Sequence, residues 1–434
     1  MIFFIFLTFS QDSLLYSPNV RGFFYLTESK RISIAEKKNW TFIVLTCYPH
    51  YLNSDIYYIF RSPTTSFTDT PIKILEDPPA SRPPYDGSPS LVIDSSSNFK
   101  IHIFWNSERS MSGYPFWWQT EIFYTYSVGT YINFPAIENV SKDTNSFDLF
   151  PSATCDLSNK IYVVYWKIFM DKESIYLAER DNFGNWHNRK ITEDEEIAEN
   201  PLITTLDNND KLIFYYEVLS QKLYARKLKD NYISEPFEIS KGHDYAVTFK
   251  NNEIYFLYIN KDSLYLKILD YNLISKRKVH LDFGQGLFIK NPSLIFLKDT
   301  LYIFYVKGNN THSDIFSITF KGNILKKEIF VSSVGKNENP IPLITSEGEF
   351  FVFFQSDRRK YLEENIREFN HIYFKKRYFQ NVTKKKNYIT FLLPKDLEKK
   401  VIFDLSGRKT KSTSKKGIFF IKDKNGETLK CISF

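Results

Sequence analysis

Cysteine is scarce in this chain, with three in 434 residues, at Cys47, Cys155 and Cys431. An odd number without metal-ligand spacing excludes a disulfide framework and a zinc site, and leaves three small apolar side chains for a core. Methionine (3) and glycine (15) are also few, while Phe (41) and Tyr (29) abound; with Ile and Thr they favour strands over helices. No apolar stretch reaches the length that spans a bilayer as a helix. Nor does one sign of charge dominate the body. The chain is +7 overall, but residues 384–434 hold 14 basic and 5 acidic side chains, which leaves residues 1–383 with 43 basic and 45 acidic, a net of −2. That balance gives no electrostatic footprint for nucleic acid. P-loop, nucleophile-elbow and His-Glu-x-x-His patterns are absent.

What is present is apolar content for a sizeable core: 43% hydrophobic and 18% aromatic residues exclude intrinsic disorder. Residues 2–9 form an apolar run of signal-peptide length, with Thr8 and Ser10 as small residues at −3 and −1 of a cleavage before Gln11. A signal peptide over 1–10, lacking its positive n-region, is the expectation.

The body repeats. Each copy opens on a short strand with a proline, then a polar turn, a strongly aromatic strand, a loop and another aromatic strand. Pro89, Pro151, Pro201, Pro292 and Pro340 open five copies; one without proline begins near Tyr245, and an irregular first copy lies in Trp40–Leu45 and Asp55–Phe60. A period near 47 is that of four-stranded propeller blades, whose sheets must stack to bury both faces. A two-sheet sandwich or β-helix repeats less regularly or at shorter period. The expected fold is all-β: a propeller of six or seven blades over 11–383, followed by a small sandwich-like module at 384–434.

Gln355-Ser356-Asp357-Arg358-Arg359 follows the aromatic strand ending at Phe354, and Trp105-Asn106-Ser107-Glu108-Arg109 is a second, looser copy. Both resemble the "Trp-x-Asp-x-Arg" signature of secreted bacterial sialidase-like propellers. Asp181-Asn-Phe-Gly184-Asn-Trp186 resembles the Asp-box turn that decorates sialidase blades. Such boxes are structural and argue for fold, not catalysis.

In the tail, Asp404-Leu-Ser-Gly407-Arg408, a Lys-rich turn, Gly417-Ile-Phe-Phe-Ile-Lys422 and an Asn425-Gly426 turn before the last strand are similar to the type A sorting domain of the type IX secretion system. The resemblance implies a secreted or outer-surface protein whose tail, through Asp404, Gly407, Arg408 and Gly417, engages the secretion machinery, with Lys384-Lys385-Lys386 in an exposed linker. A plain C-terminal β module for packing or attachment is the alternative.

Propeller channels open where several blades converge. Asp86, Asp148, Glu199, Asp244 and Glu338 lie one to three residues before a blade-opening proline or its equivalent. Gathered at one mouth, they would supply the acid and base of glycoside hydrolysis, or oxygen ligands for Ca2+. The simpler reading is that Asp, Asn and Ser before proline form turns. Tyr114, Phe116, Trp117 and Trp118 make an aromatic loop suited to stacking on sugar or anchoring a protein, or to capping a hydrophobic edge. The leading expectation is a monomeric propeller that binds a glycan or protein without a cofactor and without catalysis; the runner-up is a glycoside hydrolase.

Overall fold

The computed structural model describes residues 13–16, 32–50, 53–109 save 66, 68–70 and 75–83, 119–358 save 130–131, 135–136, 144, 171 and 230, 371–377, and the tail strands within 401–433. The chain divides into two compact units, Met1–Tyr378 and Phe379–Phe434.

The first unit is a seven-bladed β-propeller of antiparallel sheets. Blades 1 to 6 open on inner strands Ser33–Lys37, Asp86–Ile93, Phe147–Cys155, Ala198–Thr205, His243–Lys250 and Phe288–Leu297. Each continues outward through consecutive strands. Blade 4 has five strands, because Tyr232–Ile233 and Phe237–Lys241 both border its third strand. Blade 7 is composite. Asn337–Ile344, Phe350–Ser356 and His371–Arg377 supply its inner three strands, and Ser13–Tyr16 from the other end of the unit pairs with His371–Arg377 as the fourth. The ring is therefore closed by main-chain hydrogen bonds between the two ends of its sequence.

The second strand of each blade shows why these segments are almost uninterrupted apolar runs. Successive side chains of a strand point to opposite faces, and here both faces meet a neighbour. In blade 1, Ile43 and Leu45 pack against Phe351 and Phe353 of blade 7, while Phe42 and Val44 pack against Ile101, Ile103 and Trp105 of blade 2. The alternation continues with Phe104 against Val163 and Tyr165, Tyr162 and Val164 against Ile213 and Tyr215, Phe214 against Phe256 and Tyr258, and Leu257 and Ile259 against Ile303 and Tyr305. Phe304 meets Phe350 edge-on to seal blade 6 to blade 7. Each fully buried aromatic or aliphatic side chain contributes roughly 1.5–3 kcal/mol. At the closing seam, Arg61 of blade 1 also reaches Glu349 of blade 7 at 2.6 Å.

A hydroxyl clamp recurs between blades. Ser54 and Ser313, each near the start of a third strand, bond both the N–H and C=O of the residue that opens the next inner strand, Asp86 and Asn337. Thr120 does half of this, donating to Asp148 O at 3.0 Å. The turn at Asp181 has the geometry expected of an Asp box: its Oδ1 accepts the N–H groups of Phe183 and Asn185, and Trp186 inserts between Phe104 and Tyr124. Asp270 builds the same turn in blade 5, accepting Asn272 and Ile274 N–H, with buried Leu273 at φ +66° where the first turn has Gly184.

Cys155 is half-buried, and burial, helped by Asp94 and Asp156, pushes its thiol up to about 12. The tail unit holds its own four-stranded sheet, in the order Lys409–Thr410, Val401–Phe403, Gly417–Lys422, Thr428–Ser433. Gly417 opens its third strand in sequence; Asp404, Gly407 and Arg408 lie outside the described residues, as do 1–12 and the Lys384–Lys386 linker.

Candidate functional site: the central cavity

Proline has no N–H and a fixed φ, so inside a strand it is accommodated where the ladder is already broken. In blades 2 to 7 each inner strand has a β-bulge at its proline or its Tyr245 equivalent. The residue just before takes the left-handed conformation in all six: Ser88 (φ +48°), Phe150 (+51°), Asn200 (+52°), Asp244 (+47°), Asn291 (+51°) and Asn339 (+51°). Asn and Asp tolerate this region better than other L-residues, which accounts for four of the six. Phe150 is the costly one, and it lies stacked on Trp166 at 5.7 Å.

These bulges surround a central cavity of about 400 Å3, a volume in the range of small-ligand sites. Its polar lining comes from Ser33, Ser90, Ser152, Asn200, Asp244, Asn291, Ser293 and Asn339, set among prolines, Tyr245 and a few aliphatic side chains. Among the described residues, no Lys or Arg belongs to this lining.

Most of the polar groups already have work within the fold. Ser33 Oγ accepts the N–H of Leu91 at 2.8 Å, Ser90 that of Ala153 at 3.1 Å, and Ser152 that of Ile203 at 3.2 Å. The rule is simple: a serine on one inner strand holds the N–H two residues past the proline of the next blade. Ser293 occupies the same place in blade 6, but two residues past Pro340 stands Pro342, which has no N–H to give. Ser293 Oγ is accordingly buried without a protein partner among the described residues. Asn200 and Asn339 donate their amides to Glu199 and Gln355, whereas Asn291's carboxamide makes no side-chain bond among the described residues. Asp244 Oδ2 accepts the Asn291 N–H at 3.1 Å, and Tyr245, stacked on Phe256 at 5.5 Å, donates its hydroxyl to Asn200 O at 2.5 Å.

Of the five carboxylates singled out in the sequence, Asp244 is the one that lines this cavity. Asp86, 2% exposed, is sealed by Arg109, whose Nη2 lies 2.8 Å from Oδ2, and by Trp105 Nε1 at 3.2 Å. Asp148 is fully buried; burial raises its carboxyl to about 6 against the pull of Lys167 at 3.8 Å. Glu199 accepts from Asn200, and Glu338 pairs with Lys290 of blade 6 at 2.5 Å. The five do not form one ring because Asp244 is itself the bulged residue, skipped by the ladder, whereas Asp86, Asp148, Glu199 and Glu338 sit two or three residues before the proline and are paired in the ladder ahead of the bulge. Arg109 and Arg358 tie strands of their own blades: each donates its backbone N–H to the serine two residues earlier, and Arg358 reaches Asn337 where Arg109 reaches Asp86.

Sequence reasoning passed over Glu121, at the head of the third strand of blade 2. It is 7% exposed, and burial, reinforced by Asp148 and Asp143, raises its carboxyl to about 7, with Asn139 donating to it. Nothing in the local sequence marks it, since its neighbours arrive from blade 3. No group of three or more His, Cys, Asp or Glu is arranged to hold a metal ion among the described residues. Tyr114, Phe116, Trp117 and Trp118 lie outside those residues.

Neither the known protein-family profiles nor the curated protein sequences match this chain. Among solved structures it is similar to a protein of unknown function from Dyadobacter fermentans, with TM-score 0.50 and 12% identity over 74% of this chain and 98% of that one. It is also similar to the Trypanosoma rangeli sialidase, with TM-score 0.46 and 10% identity over 69% of this chain, and to a prolyl endopeptidase, with TM-score 0.48 and 9% identity over 95% of it. The chain spans 55% of the length of each of the last two. At such identities the likeness is one of fold.

Proposed function

We propose that this chain is an exported propeller that captures a glycan or protein segment in its central cavity and carries out no chemistry on it there. The observation that carries this reading is the lining itself: neutral hydrogen-bonding side chains alternate with flat apolar faces and a single carboxylate, a composition suited to recognition. Among the described residues it holds no carboxyl pair for hydrolysis. The test is capture of the purified full chain on a glycan array, with calcium and with chelator; specific capture that is lost when Ser90→Trp fills the cavity supports the reading, and capture unchanged by that substitution sinks it.

Export rests on the apolar run at residues 2–9 and on the sorting-domain resemblance of 384–434. A reporter protein fused to 384–434 and expressed with an N-terminal signal in a bacterium that has a type IX system is expected outside the cell. Retention in the periplasm would remove that part of the proposal.

One observation favours a second reading. Glu121 and Asp148 are neighbouring carboxyls raised to about 7 and about 6, and a carboxyl protonated near neutrality beside an ionised one is what a glycosidase uses. If a glycan found on the array is also cleaved, Glu121→Gln should abolish turnover while capture persists; undiminished cleavage in that variant discards the pair.

A further inference from the structure

The cavity wall is chemically lopsided. On the side of blades 1 to 3, the serines hold the next blade's N–H groups. On the side of blades 5 and 6, three different polar groups retain bonding capacity: the Asp244 carboxylate, the Asn291 carboxamide and the Ser293 hydroxyl. They are adjacent, because Asp244 holds the backbone N–H of Asn291 and Ser293 follows two residues on. Beside them stand the Tyr245 ring and Pro292.

From this we propose that the blade 5–6 wall is a subsite for the vicinal diol of an uncharged sugar ring. The proposal rests on the cavity being the ligand site. A diol needs one group that accepts from its hydroxyls and one that donates to them. The carboxylate accepts, the carboxamide does both, and the serine hydroxyl turns to suit. The orphaned Ser293 hydroxyl is the independent sign. A buried polar group without a partner is costly, and with Pro342 standing where the other blades offer an N–H donor, the Ser293 hydroxyl keeps its bonding capacity for a ligand. Tyr245 and Pro292 offer the apolar faces against which the C–H side of a sugar ring packs.

The same wall sets specificity. A ligand carboxylate placed here would lie near Asp244, and among the described residues no Lys or Arg lines the cavity to neutralise it; like charges at close range in a partly desolvated site repel strongly. The subsite therefore selects neutral sugars over uronic or sialic acids.

The experiment is titration calorimetry of the full chain with cellotetraose, maltotetraose, mannotetraose and galactotetraose, and with tetragalacturonate as the acidic counterpart. A neutral tetrasaccharide is expected to bind and tetragalacturonate to bind at least about tenfold more weakly. Asp244→Asn should weaken the neutral ligand about 10- to 100-fold, as loss of hydrogen bonds to a charged group does, and narrow the gap to tetragalacturonate. Ser293→Ala should weaken it about three- to tenfold without lowering the urea midpoint. Equal binding of tetragalacturonate, or wild-type affinity in both Asp244→Asn and Ser293→Ala, overturns the subsite. If that affinity is still lost in Ser90→Trp, or in Ile34→Trp should the first fail to fold, the cavity reading survives without it. Absence of binding by every neutral sugar overturns the subsite, and the cavity reading then stands or falls on the glycan array with Ser90→Trp.

Discussion

The serine-to-next-blade rule makes a prediction that isolates one hydrogen bond at a time. Ser33, Ser90 and Ser152 each hold a backbone N–H that their removal would orphan, at 2.8, 3.1 and 3.2 Å. A typical intramolecular hydrogen bond contributes about 0.5–1.5 kcal/mol net, and orphaning a buried donor costs about 1–3 kcal/mol. These serines are half-buried and line a cavity that water can enter, so the lower figure applies: about 1 kcal/mol for each Ser→Ala, largest at Ser33, whose bond is shortest. Ser293 has no such bond to lose. Ser293→Ala should cost nothing, or stabilise by up to about 1 kcal/mol through removal of an unpaired hydroxyl. Pro342→Ala should restore the missing N–H. In that background Ser293→Ala should become destabilising by about 1 kcal/mol, a coupling that a double-mutant cycle reads directly. Equilibrium urea unfolding of the full-length variants measures the energies. Amide hydrogen exchange locates them: faster exchange at Leu91 in Ser33→Ala, at Ala153 in Ser90→Ala and at Ile203 in Ser152→Ala. The reasoning is refuted if Ser293→Ala costs as much as Ser33→Ala, or if Pro342→Ala and Ser293→Ala are additive.

Other perturbations follow from the same structure. Glu121 and Asp148 have carboxyls raised by burial to about 7 and about 6, so the folded state holds protons that the unfolded chain releases; stability falls as pH rises from about 4 through 7, and denaturation midpoints of Glu121→Gln and Asp148→Asn should lose that slope. Asp282 behaves oppositely: although burial opposes it, the Lys327 and Tyr305 donors hold its carboxyl below the usual range, so its contribution vanishes as pH falls below about 4. Arg109→Ala strands the Asp86 carboxylate in a buried site and should cost about 3–5 kcal/mol, with Asp86→Asn in the same chain recovering part of it in thermal melts. Gly242 sits at φ +144° where an added Cβ would lie 2.3 Å from the Ile259 carbonyl oxygen; Gly242→Ala should lower stability by about 1–3 kcal/mol, and an unchanged melting temperature would contradict the tight entry into blade 5.

The repeat was legible because its physics is local and periodic. Strands buried on both faces must be apolar without alternation, as in Phe350–Phe354, and prolines mark the bulges that open the inner strands. Asp181 announced its turn because Gly184 and Trp186 accompany it; Asp270 makes the same turn around a leucine and gave no such sign. Blade number and closure were not legible, since the fourth strand of blade 7 comes from Ser13–Tyr16, remote in sequence from the three it joins.

At the site, the residue types that cluster near each blade opening could be read from the chain alone, since they follow from proline's missing N–H and the turn preferences of Asn and Asp. What each of them faces is set by packing between blades. Whether a carboxylate near a blade opening faces the cavity, as Asp244 does, or an arginine, as Asp86 does, depends on whether it falls in the bulge or in the ladder ahead of it. The raised pKa of Glu121 depends on its burial and on Asp148 and Asp143, which the start of the next blade brings to it. Ser293 is distinguished from Ser33, Ser90 and Ser152 by a proline 49 residues away, a difference that exists only once blades 6 and 7 are side by side.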